Sequence, residues 1–187
     1  DAVCNPIGEY GILKLACENL IKDYNRKHGL NYTIIRPSAV YGPSDLSDRV
    51  ISKFLLTAMG NGTLTVNGEK ETLDFTYVDD AAAGIALAGL SEEAENKTYN
   101  ITKSHAKTLH YAAELATKIA GKGSIRIVDK DQDFPTRGAL DITAAKTDFG
   151  FNPKIDINEG FNLYAEWIQN SVYWDKAAIS KFAKRTS

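Results

Sequence analysis

Two cysteines in 187 residues, Cys4 and Cys17, are too few for a disulfide framework, and neither has a companion at zinc-site spacing. A reducing, cytoplasmic setting is the resulting expectation. Charge of one sign is also missing. The 22 basic and 24 acidic residues are interspersed and sum to −2, which excludes a field that would draw in nucleic acid or an anionic membrane. No apolar run approaches the roughly 20 residues that span a bilayer, and the start is not a basic-then-apolar signal. His28, His105 and His110 are scattered, so no metal site is expected and structural roles are assigned to them. No G-x-G-x-x-G stretch occurs. The first residue is Asp1 rather than Met, and the first element reads as one from the middle of something longer, so a fragment is expected.

What is present is ordinary for a globular chain: 43% hydrophobic and 25% charged residues, without a repeat or low-complexity linker. One module over residues 1–187 is predicted. After Pro6, the residues Leu13, Ala16, Cys17, Leu20, Ile21 and Tyr24 recur at helical spacing up to Gly29. This predicts an amphipathic helix with that stripe, Cys17 included, turned to the core. Tyr32–Ile35 reads as a buried strand, Arg49–Met59 as a helix and Leu64–Val66 as a strand closed by the Asn67-Gly68 turn. Leu73–Val78 reads as a further strand, and Asp79–Leu90 as a helix capped by an aspartate. A strand at Thr98–Ile101, a helix at Leu109–Ala120, a strand at Ile125–Val128 and helices at Thr143–Phe149 and Ile157–Asn170 complete the series. The tail beyond Trp174 is expected to fray or to pack on a neighbour, with Tyr173 and Trp174 as a partner surface. Phe161, Tyr164 and Trp167 form a stripe read as core.

Tyr10 and Lys14 stand four apart on the first helix and project from one face. An ammonium beside a phenol favours the phenolate, the form that accepts a hydroxyl proton. The stretch from Asn5 to Lys14, Asn-Pro-Ile-Gly-Glu-Tyr-Gly-Ile-Leu-Lys, resembles the active-site helix of the extended short-chain dehydrogenase/reductases, the NAD-dependent epimerase/dehydratase family of nucleotide-sugar enzymes. Three further stretches resemble the same family in order: Tyr32 to Pro43, ending Arg-Pro-Ser-Ala-Val-Tyr-Gly-Pro; Leu73 to Asp80; and Arg137 to Phe151.

The resemblance implies an α/β fold: the last part of a Rossmann-type parallel sheet plus the small α/β substrate-binding subdomain, the carboxy-terminal half of such an enzyme without its Gly-rich half. It implies Tyr10 as proton-transfer group and Lys14 as its partner on the nicotinamide ribose. Backbone groups of Pro37, Ser38, Ala39 and Val40 would face the carboxamide of NAD or NADP. Arg137 would contact the diphosphate of a nucleotide-sugar substrate, while Leu73 stands where the family pattern has a second arginine. It also implies a homodimer packed through the Tyr10 helix, or pairing with an amino-terminal half. Two functions follow as expectations: part of a nucleotide-sugar epimerase or dehydratase, or an inactive fragment serving as a binding or assembly module. A nearby upstream reading frame or longer natural chain would favour the first.

Overall fold

The computed structural model describes residues 4–45, 49–130 and 135–186. In chain order its elements are α1 (Gly8–His28), β1 (Thr33–Pro37), β2 (Val40–Tyr41), α2 (Val50–Met59), β3 (Thr63–Asn67), β4 (Thr72–Leu73), β5 (Thr76–Tyr77) and α3 (Val78–Leu90). A 3-10 turn at Glu92–Ala94 leads to β6 (Lys97–Ile101), β7 (Lys107–Thr108), α4 (Leu109–Ala120), β8 (Ser124–Val128), α5 (Thr143–Phe149), α6 (Ile157–Asn170) and α7 (Lys176–Thr186).

Parallel pairing dominates: β1 with β6, β2 with β5, and β3 with β8, whereas β4 and β7 run antiparallel. Parallel strands need long crossovers, and the intervening helices supply them. β1 and β2 form one extended run broken at Ala39, whose φ of 39 turns the chain so that its first part pairs with β6 and its second with β5. The expected strand over Leu73–Val78 is likewise two short strands in different sheets. The cause is Asp74, fully buried, whose carboxylate accepts the backbone N–H groups of His105 at 3.2 Å and Leu140 at 3.0 Å. A buried carboxylate must be satisfied in this way, and it interrupts the ladder.

A large core joins α2, β3, α4, α6 and α7 around Phe54, Leu55, Leu64, Val66, Tyr77, Phe161 and Tyr164. Burying each such side chain stabilises the fold by roughly 1.5–3 kcal/mol. The predicted stripe is core, with Phe161 and Tyr164 buried and Trp167 packed against them. A smaller cluster of Ala94, Tyr99, Ile101, Ala145 and Phe151 lies between β6 and α5. The tail corrects the expectation that it frays: α7 packs on α2, with Phe182 and Ala183 buried and Trp174 edge-on to Phe182 at 5.6 Å.

Helix α1 reverses another expectation. None of its residues is buried, and its apolar stripe faces outward, with Leu13 64%, Leu20 58% and Tyr24 52% exposed and Cys17 exposed too. The periodicity is real, but the helix docks by the opposite face, along the half-buried Gly11, Leu15, Glu18 and Asn25. Asn25 Nδ2 donates to Asn96 Oδ1 at 2.9 Å and fixes the carboxy-terminal end.

Candidate active site

Tyr10, Lys14 and Glu18 follow one another at single-turn intervals along α1. Arg36, near the end of β1, donates from Nε to Glu18 Oε1 at 2.7 Å and from Nη2 to Oε2 at 2.6 Å. Nη2 also lies 3.3 Å from Cys4 Sγ. The two-pronged contact holds the Glu18 carboxyl below the usual glutamate range, chiefly through the hydrogen bonds from Arg36, and raises the Arg36 guanidinium by the same bonds. It ties Arg36 to the residue one helical turn beyond Lys14. Pro37 to Val40 continue from that point, with Pro37 exposed, Ser38, Ala39 and Val40 half-buried, and Ala39 O accepting from Thr76 N at 3.3 Å. Tyr10 is 79% exposed, and among the described residues neither it nor Lys14 takes a hydrogen bond or ion pair.

Arg137 lies elsewhere. It lines a cavity of about 440 Å³ between α2, β3 and β4, with Lys53, Lys130 and Glu71 as the other charged members among the described residues and Val50, Phe54, Leu73, Leu109 and Pro135 as apolar wall. Thr65 and Asn67 add polar groups from β3. Lys130 Nζ pairs with Glu71 Oε2 at 3.1 Å, and Thr72 Oγ1 donates to Arg137 O. No residue of α1 or of the 37–40 turn lines this cavity, so Arg137 and the Tyr10–Lys14 pair do not share it. Sequence reasoning missed Lys53, Glu71 and Lys130. Lys53 had a signal, as the one charge in the otherwise uncharged helix Val-Ile-Ser-Lys-Phe-Leu-Leu-Thr-Ala-Met.

Asp80 is buried and accepts from Lys154 N at 2.9 Å and Ile155 N at 2.8 Å. It is structural, as expected, but it ties α3 to the segment before α6 instead of capping its own helix, which has no side-chain cap bond. Among the described residues no group of three His, Cys, Asp or Glu side chains is arranged to hold a metal, and no helix is long and apolar enough to cross a membrane.

The model of the NAD dependent epimerase/dehydratase family matches residues 1–102. The UDP-glucuronic acid decarboxylase 5 of Arabidopsis thaliana is 34% identical over 169 residues, 87% of this chain and 49% of the relative. A UDP-glucose 4-epimerase from Thermotoga maritima, solved with UDP-glucose, superposes with a TM-score of 0.82 at 27% identity over 89% of this chain and 55% of that one. A dTDP-glucose 4,6-dehydratase from Streptomyces venezuelae, solved with NAD bound, gives a TM-score of 0.84 over 93% of this chain and 55% of that one; at 22% identity it speaks for the fold alone. The chain spans about half the length of the curated relatives it matches. These neighbours share the Rossmann-type α/β architecture expected from the sequence. With the family model aligned over more than half of its residues, and a relative above 30% identity along most of it, the chain belongs to the NAD dependent epimerase/dehydratase family.

Proposed function

We propose that this chain carries the proton-transfer pair and the substrate-binding region of an NAD(P)-dependent nucleotide-sugar epimerase or dehydratase. The observation that supports the proposal is the Glu18–Arg36 contact, which ties the helix carrying Tyr10 and Lys14 to the end of the strand leading into the 37–40 turn. The residues present fit the nicotinamide end of such a cofactor: an exposed phenol and an ammonium one turn apart, both open to a ligand. Tyr10, Lys14 and the turn at Pro37, Ser38, Ala39 and Val40 would hold that end. When bound, NAD(P) supplies hydride exchange at a sugar carbon. Tyr10 Oη takes the proton of the hydroxyl on that carbon and can return it, while the Lys14 ammonium stabilises the phenolate. The cavity of Arg137 is assigned to the nucleotide diphosphate of the substrate, since a guanidinium recognises phosphate oxygens two at a time.

Turnover of UDP- and dTDP-hexoses with NAD(P) by the native protein tests this. Tyr10→Phe should lower kcat by about 10²–10⁴-fold with little change in KM. Undiminished turnover by that variant would exclude Tyr10 as the proton-transfer group.

The outward apolar stripe of α1 supports a second reading, an assembly role that catalysis does not require. The partner is a second copy packed through the Tyr10 helix or an amino-terminal half. Light scattering over a concentration series should show association, and Leu13→Glu with Leu20→Glu should abolish it.

A further inference from the structure

We propose that Lys130 is an anion-binding cation of the Arg137 cavity, and that Glu71 holds it in the cavity wall until a phosphate of the ligand displaces the carboxylate. The inference rests on the assignment of this cavity to the nucleotide end of the substrate. Among the described residues, three cations, Lys53, Lys130 and Arg137, face the space together with one carboxylate, Glu71, while position 73 contributes only a leucine side chain. An anion entering there meets Glu71 as a competitor for Lys130, whose ammonium lies 3.1 Å from it. The two side chains are 26% and 21% exposed, sheltered but reachable from the cavity.

The pair is built into the fold. Gly68 has φ of 79, and a Cβ there would come within 2.7 Å of Glu71 Cγ and 3.2 Å of Lys130 Cβ, so the turn before β4 must carry glycine for the two to meet. Gly68 N donates to Val128 O at 2.9 Å, Glu71 N to Gly68 O at 3.2 Å, and Leu109 N to Glu71 O at 2.8 Å. The end of β8, the β3–β4 turn and the start of α4 thus converge on one carboxylate and one ammonium. Lys130 Nζ also donates to Thr136 Oγ1 at 2.5 Å. An ammonium has three donors, so Lys130 can keep the Thr136 hydroxyl while exchanging Glu71 for a phosphate oxygen. A neutral ligand cannot drive that exchange, whereas a diphosphate can. Glu71 therefore acts as a specificity-determining residue that selects for charge on the ligand.

Isothermal titration of the chain with UDP, uridine and inorganic pyrophosphate tests the proposal, with far-UV circular dichroism confirming that each variant is folded. Lys130→Gln should weaken UDP and pyrophosphate about ten-fold, the loss of one charge-assisted hydrogen bond, and leave uridine unchanged. Glu71→Gln should tighten UDP and pyrophosphate several-fold and leave uridine unchanged. The proposal is overturned if Lys130→Gln spares both anions, if it weakens UDP and uridine alike, or if Glu71→Gln weakens pyrophosphate. Pyrophosphate binding that depends on Lys130, without any response to UDP or uridine, would retire the nucleotide assignment and leave the anion site standing. Silence with all three ligands overturns both.

Discussion

Asp80→Ala should be among the more destabilising polar substitutions in this chain. Its carboxylate is buried and accepts two backbone N–H groups, Lys154 at 2.9 Å and Ile155 at 2.8 Å. A hydrogen bond to a charged group contributes about 1.5–3 kcal/mol, and a buried donor left unpaired costs a further amount of similar size. The two bonds share one acceptor group and do not add fully, so the expected loss is about 2–4 kcal/mol. A simple helix cap would be worth about 1 kcal/mol. For a domain of this size a loss of ~3 kcal/mol lowers Tm by roughly 6–12 °C. Asp80→Asn keeps one acceptor but turns an amide N–H₂ towards a backbone donor, so it should recover only part of the loss. Asp79→Ala, exposed in the same first turn, should cost at most about 1 kcal/mol through the helix dipole. Urea unfolding followed by circular dichroism, with unchanged m-values, reads all three. If Asp80→Ala and Asp79→Ala fall within about 0.5 kcal/mol of each other, the anchoring role is wrong.

Gly160→Ala puts a Cβ 2.1 Å from Tyr41 Oη and should cost at least about 1–3 kcal/mol by overpacking, whereas Gly89→Ala meets open space within α3 and should stabilise by roughly 0.5–1 kcal/mol in the same assay. The folded-state pKa of Glu18 is depressed by Arg36, so the pair's contribution is complete above the unfolded value of about 4.3 and is lost as pH falls through the lower folded value. Hydrogen exchange corrected for intrinsic rates should therefore show α1 opening more as pH drops from about 5 to about 3, and Glu18→Gln should remove that dependence. Cys17, exposed on the outward stripe, should react with a thiol reagent in the dilute native chain and become protected as α1 associates; equal reactivity at every concentration would argue against assembly through this face.

The helices α4, α5 and α6 were legible to the residue because their ends carry local signals: Thr108 accepting from Tyr111 N, Gly150 in the left-handed region, and Asp156 accepting from Asn158 and Glu159 N. α1 was legible as a helix but not in its orientation, since periodicity says which residues share a face and not what covers it. The break at Asp74–Phe75 was hidden because the donors that satisfy Asp74 come from His105 and Leu140, more than thirty residues away. The same limit applies to function. Tyr10 and Lys14 were singled out by their spacing on one helix together with the family resemblance, and Arg137 by the resemblance. Lys53, Glu71 and Lys130 converge from α2, the approach to β4 and the end of β8, and their meeting exists only in three dimensions.

The most direct test of the central claim is isothermal titration of the chain, wild type and Arg137→Ala, with UDP-glucose, dTDP-glucose and NAD. A substrate-binding region predicts that at least one sugar nucleotide binds, that Arg137→Ala weakens it about ten-fold or more, and that NAD, of which the proposed residues would hold only the nicotinamide end, binds weakly. Tight NAD binding with no response to either sugar nucleotide, or identical binding by wild type and Arg137→Ala, would contradict it.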